Sequence, residues 1–307
     1  MNLYTPRRYD ERITHLSLGL EPRDATTDQR LDRGVDVRIE RFPRPVAEWR
    51  RWAPGESLTT FLPSLERHRS GRFAARYEDP RPLGPTPTLR VVDDELVGSA
   101  RRAGHGRRFV PRRITTTLAP GDAVRSADAD PTVAPHPLWQ RAFPLWMFPG
   151  ASGLVSPRAT VLRGRVVRVD PADGRRAPVR WCRVRAVDTV GRDAGWAHGD
   201  DRGEFVLVAQ TPVGEIGPTA DPLRVELSIG ARPVPPAPDP ADPTLAEVDP
   251  LWDLPVETVA PAPVASSEPT LTGRAFLPLV HTVVAPVDPT PIALALGRQT
   301  TREIQIP

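Results

Sequence analysis

The sequence predicts an all-β protein, and three observations carry that prediction. Proline accounts for 39 of 307 residues and glycine for 22. Each proline removes a backbone donor and clashes with the preceding turn, so long helices have little room to form. Apolar residues recur at a two-residue period in short runs separated by Pro- and Gly-containing turns, which is the pattern of half-buried strands. The chain is 26% charged and 39% hydrophobic, a composition that supports folded cores rather than disorder. Two antiparallel β-sandwich modules joined by Pro-rich linkers, with extended terminal arms, are the expected architecture.

Residues 1–35 are polar, carry several charges and show no sustained period, so they are expected to form an N-terminal arm that orders against a partner. A first β-sandwich is expected over 36–118. Val37 and Ile39 alternate with Arg38 and Glu40, and similar runs follow at 58–62, 73–77, 89–92 and 109–118. Residues 119–157 are expected to be a Pro-rich linker with one apolar plug, Phe143-Pro144-Leu145-Trp146-Met147-Phe148, whose rings must be buried against a sheet or a neighbouring subunit.

A second sandwich is expected over 158–232. Val161, Val166, Val167 and Val169 give its first strand, and Ala177-Pro178-Val179 opens another. There Cys182, Val184 and Ala186 form the buried set by two-residue alternation, opposite Trp181, Arg183 and Arg185. Residues 233–271 are expected to be a polyproline spacer. A C-terminal arm over 272–307 is expected to add strands to something else. Removing residues 1–35 or 272–307 should leave the central sandwiches folded but abolish assembly.

Charge is uneven along the chain. Residues 101–200 hold 18 Arg against 8 acids, while 201–307 hold 6 Arg against 14 acids. These opposite signs either pair within one chain or meet a neighbour. The basic run Arg107-Arg108-Phe109-Val110-Pro111-Arg112-Arg113 and the plug residues Phe143, Leu145, Trp146 and Phe148 are the candidate protein-interface residues. The chain as a whole is only +3, which argues against nucleic acid as the partner.

Little points to catalysis. One cysteine, Cys182, excludes an internal disulfide framework and reads as a small buried hydrophobe. The six histidines have no metal-ligand spacing, and His198 with Asp200 and Asp201 is more simply an Asp-Gly turn. No nucleophile elbow, phosphate loop or dinucleotide fingerprint occurs. No enzyme activity, cofactor or metal is therefore expected. No run reaches the roughly 20 apolar residues of a membrane helix, and the first residues lack a signal-peptide core, so a cytoplasmic protein without membrane insertion is expected.

Two resemblances follow from these residues. Arg163-Gly164-Arg165-Val166, Ala177-Pro178-Val179, Cys182-Arg183-Val184, Gly195-Trp196-Ala197 and Asp200-Asp201-Arg202-Gly203-Glu204-Phe205 resemble the carboxypeptidase regulatory-like, transthyretin-type β-sandwich. That likeness implies immunoglobulin-like or transthyretin-like modules and no activity. The order Ser70-Gly71-Arg72-Phe73, Arg107-Arg108-Phe109-Val110-Pro111-Arg112, Phe143-Pro144-Leu145-Trp146 and then the Arg-Gly-Arg-Val sandwich is similar to a protein of extracellular contractile injection systems, which are phage-tail-like particles. It spans residues 36–210. The resemblance implies a structural part: a cap adaptor joining the terminal sheath and tube rings to the tail cap, or else a baseplate component. Sheath, inner-tube and cap or terminator proteins are the implied partners, within a ring-like multimer. A rival from another class is a monomeric carbohydrate- or ligand-binding protein using Trp49, Trp52, Trp139, Trp146, Trp181 and Trp196 as ring platforms.

Overall fold

A computed structural model of the chain describes residues 16–40, 64–76, 83–93, 108–118, 120–122, 142–210, 221–238, 249, 251–259, 278 and 280–307. These residues form seventeen strands. The expected strand at 58–62 lies outside the described residues, as do residues 1–15 of the expected N-terminal arm.

The N-terminal module is built from β1 (Leu16–Asp24), β2 (Val35–Glu40), β3 (Glu66–Arg67), β4 (Phe73–Arg76), β5 (Thr88–Asp93), β6 (Arg112–Thr116) and β7 (Ala142–Met147). The C-terminal module takes β8 (Thr160–Val169), β9 (Arg176–Pro178), β10 (Arg183–Asp188), β11 (Asp193–His198), β12 (Glu204–Ala209) and β13 (Leu223–Ala231). Strand β14 (Val256–Val259) returns to the first module, and β15 (Thr282–Val284), β16 (Ile292–Leu294) and β17 (Gln299–Ile306) return to the second.

Each module is a pair of sheets. In the first, β3-β4-β1-β7 faces β14-β6-β5-β2, and Leu18, Leu20, Val37, Phe73, Leu89, Val91, Ile114 and Leu145 fill the space between them. In the second, β11-β10-β13-β15, with β16 also on β13, faces β12-β8-β17, with β9 also on β8. Its core includes Leu162, Val166, Val184, Phe205, Leu207, Ile229, Ile304 and Ile306. Alternation decides which residues face inward. Gly203 turns the chain between β11 and β12 with φ +73°, and a Cβ there would lie 2.5 Å from the Val166 carbonyl oxygen, so only glycine fits.

The expected boundaries change where strands pair across long stretches of sequence. Strand β1, placed in the arm by its sequence, pairs antiparallel with β4 and buries Leu18 and Leu20 in the first core. The plug forms β7, which pairs parallel with β1. Strand β14 lies in the expected spacer yet pairs parallel with β6. The expected C-terminal arm supplies β17, which pairs parallel with β8 along its whole length, and β15 and β16, which pair antiparallel with β13. These segments therefore complete the cores of their own chain. The three parallel pairs also depart from the purely antiparallel expectation, because each joins strands that a long crossover separates.

Candidate functional site: a buried ionic seam between the modules

The sequence of β5 places the seam. Leu89 and Val91 point into the first core, which leaves Arg90 and Val92 on the opposite face of the sheet. That face is covered rather than solvated. Val92 and Val110 pack with Trp181, Leu251 and Leu254 in a third apolar cluster that bridges the two modules. Trp181 is fully buried and has φ +59°, a left-handed conformation that strains a bulky residue. Its indole Nε1 donates to Asp253 Oδ1 at 2.8 Å.

Around this cluster run three sets of arginine–carboxylate contacts. Arg90 donates to Asp249 Oδ2 at 2.6 Å and to Glu40 Oε1 at 2.8 Å, and Arg113 donates to Glu40 Oε2 at 2.6 Å. Asp253 accepts two bonds from Arg180, each 2.6 Å, and its backbone carbonyl accepts from Arg232 at 2.6 Å. Glu257 on β14 accepts from both Nε and Nη2 of Arg112 on β6, and from Arg183 Nη2 on β10 at 2.9 Å. One carboxylate thus ties strands from both modules. Burial pushes the Glu257 carboxyl up, but Arg112 and Arg183 outweigh it and hold the group below its ordinary value.

Two imidazoles complete the seam. The His198 ring stacks on Phe148 with centroids 3.8 Å apart. Burial drives its pKa well below the ordinary value, and Arg183, Arg112 and His281 add to the shift. His281 falls to about 3, first through burial and then through Arg183 and Arg232. Both rings are therefore neutral at physiological pH. Burial pushes the Cys182 thiol up to about 12, which leaves it un-ionised and without nucleophilic character.

The expected interface residues divide. Leu145 and Phe148 are buried within their own chain. Trp146 is half-buried, and its Nε1 donates to Asp28 Oδ1 at 2.8 Å. Phe143 lies in β7, and its side chain is outside the described residues, as is the whole of Arg107. Arg108 is exposed, with its guanidinium 5.3 Å from the Phe109 ring centroid. Arg112 and Arg113 belong to the seam. Of the expected tryptophan platforms, Trp181 is buried, Trp196 is half-buried beneath the Arg185 guanidinium, and Trp49, Trp52 and Trp139 lie outside the described residues.

Asp200 caps the turn it was expected to make, its Oδ1 accepting from the backbone N–H of Arg202 at 2.8 Å and of Glu204 at 3.0 Å. Among the described residues no group of three His, Cys, Asp or Glu side chains could hold a metal ion. Sequence reasoning missed Arg90, Asp249, Asp253, Glu257 and His281. The available signal was the run Asp249-Pro250-Leu251-Trp252-Asp253-Leu254-Pro255-Val256-Glu257, in which isolated acids sit among large apolar residues instead of in the polar context of a spacer. Away from the seam, a groove of about 690 Å³ lies on the outer face of β3-β4-β1-β7, where Gly19 pairs with Ala74 and the small size of both residues lowers the floor.

No protein-family model matches the chain, and a search of curated proteins finds no match. Solved structures give distant likenesses. The Bacillus anthracis TIE protein is 7% identical over 95% of this chain and 34% of its own length, with a TM-score of 0.20. This chain therefore spans about a third of that protein. GBS52, the minor pilin of Streptococcus agalactiae, is 8% identical over 95% of both chains with a TM-score of 0.21. The shaft pilin SpaA of Lactobacillus rhamnosus GG is 8% identical over 96% of this chain and 97% of its own, with a TM-score of 0.20. No activity or partner follows from superpositions this loose.

Proposed function

We propose that the chain is a non-enzymatic structural component of a contractile injection system, an adaptor that joins the terminal sheath and tube rings to the tail cap. The observation that carries the reading is the seam. Glu257 receives guanidiniums from β6 and β10 in a buried interface, so the two modules resist being moved against each other. Buried charge pairs of this kind serve geometry more than stability, and fixed geometry is what a part under contraction load requires. The order of motifs over residues 36–210 supplies the particle assignment, and a baseplate position is the other place the same order allows. Each carboxylate of the seam is held by arginine, and the thiol is un-ionised, which supports a role without chemistry.

Affinity purification of the tagged chain from its native host tests this, with mass spectrometry and negative-stain microscopy on one eluate. Sheath and tube proteins should co-purify, with label at one end of rod-shaped particles. A clean monomer without rods overturns the assignment and turns attention to the groove on the N-terminal module as a small-ligand site.

A further inference from the structure

The seam carries more positive charge than its carboxylates balance. Arg112, Arg183 and Glu257 have side chains 0%, 4% and 0% exposed, so two guanidiniums share one carboxylate out of reach of water. An arginine cannot relieve this by losing its proton. An uncompensated buried charge is among the costliest arrangements a fold can hold.

Unused donors lie at the same place. Arg183 spends Nη1 on the Trp181 and Cys182 carbonyls and Nη2 on Glu257, while its Nε is buried without a partner. His198 and His281 are 1% and 5% exposed, and neither ring nitrogen of either residue has a partner. A neutral imidazole always carries one N–H. Buried polar groups in native proteins are almost always satisfied, and orphans in a polar site point to a bound water or ion.

Register brings these donors together. Arg183 on β10 is directly opposite His198 on β11 and Gly230 on β13. Cross-strand partners project from the same face about 5 Å apart, so the Arg183 and His198 side chains stand side by side. Gly230 presents no side chain beside them. Gly230 is in turn opposite Val283 of β15, and His281 is two residues before Val283. The row therefore runs from one unsatisfied imidazole past an unsatisfied guanidinium nitrogen to a glycine, with the second imidazole two residues before the strand position opposite that glycine.

We propose that this row is a binding site for a small monovalent anion of halide type, held by Arg183 Nε–H and the N–H groups of His198 and His281. The anion neutralises the charge that Glu257 leaves over. The site is independent of the particle assignment, because it follows from charge balance within one chain.

The test is thermal unfolding of the full chain in gluconate buffer, with gluconate replaced stepwise by chloride or bromide at constant ionic strength. A ligand that binds only the folded state should raise the midpoint saturably, by about 5–10 °C once its concentration is about a hundredfold above its dissociation constant. Anomalous diffraction from bromide-grown crystals should show a peak within hydrogen-bond reach of Arg183 Nε. Arg183→Gln should abolish the halide dependence. His281→Leu, which removes one donor and keeps apolar bulk, should shift the halide titration to about tenfold higher concentration, and it carries the test if Arg183→Gln does not fold. Midpoints that coincide in gluconate and halide, or bromide peaks only at other positions, overturn the proposal.

Discussion

His198 and His281 set the acid sensitivity of the protein. Both are buried, neutral and surrounded by arginine, and both have pKa values lowered by folding. The unfolded chain therefore takes up protons near 6.5 while the folded chain does not. Stability is full above pH 6.5 and falls as the pH drops from there toward about 3 for His281, because the unfolded state binds more protons across that window. The loss should reach about 1.4 kcal/mol per pH unit for each histidine. Urea titrations in chloride-free buffer between pH 7 and pH 4 measure it, and His281→Leu should reduce the slope by about half. A pH-independent midpoint over that range contradicts the assignment of neutral rings. At this scale the sequence was partly legible. Cys182, Val184 and Ala186 are buried as their alternation predicts, but Arg183 and Trp181 on the opposite face are buried too, since a second module packs there and periodicity says nothing of what covers a face.

The strands divide by the distance of their partners. Strands β2, β4 and β5 were readable because alternation and turn residues specify a half-buried strand locally. Strand β1 was not, since Gly19 and Pro22 interrupt Leu16–Asp24 and the residues before it are polar. Strand β14, with four residues in a proline-rich stretch, is too short for its alternation to mark a strand, and only the acids set among large apolar residues from Asp249 to Glu257 separate it from a tether. Strand β17 was readable as a strand but not as a partner of β8, which precedes it by more than a hundred residues. The consequence reverses the expectation for the C-terminal arm. Removing residues 299–307 takes Ile304 and Ile306 from the second core and leaves one side of β8 without a partner. The truncated chain should lose its C-terminal module, seen as loss of near-ultraviolet circular dichroism and of protease resistance over 160–231. A truncated chain with an intact second module contradicts the pairing.

For the whole molecule, the seam decides whether two cores behave as one. Four acids of the last third of the chain meet arginines of earlier segments: Asp249 with Arg90, Asp253 with Arg180, Glu257 with Arg112 and Arg183, and Glu303 with Arg176. At these four acids, out of the fourteen in residues 201–307, the uneven charge along the sequence is folded back on itself. Calorimetry should show a single unfolding transition for the native chain. Glu257→Gln leaves two buried guanidiniums without their carboxylate, at a cost of about 3–5 kcal/mol. Since that cost falls on the interface rather than on either core, the single transition should split in two. A single unshifted transition in the variant contradicts the coupling.

The three parallel pairs also bear on how the protein is made. Strand β1 waits for β7, β6 waits for β14, and β8 waits for β17, more than a hundred residues later. Domains ordinarily fold in turn as they emerge during synthesis, but here the first module lacks a strand until β14 has emerged, and the second stays open until β17 has left the ribosome. Long-range pairing of this kind slows folding. A chain cut short during translation exposes unfinished sheets to chaperones and proteases, so the topology itself withholds a stable fold from incomplete copies.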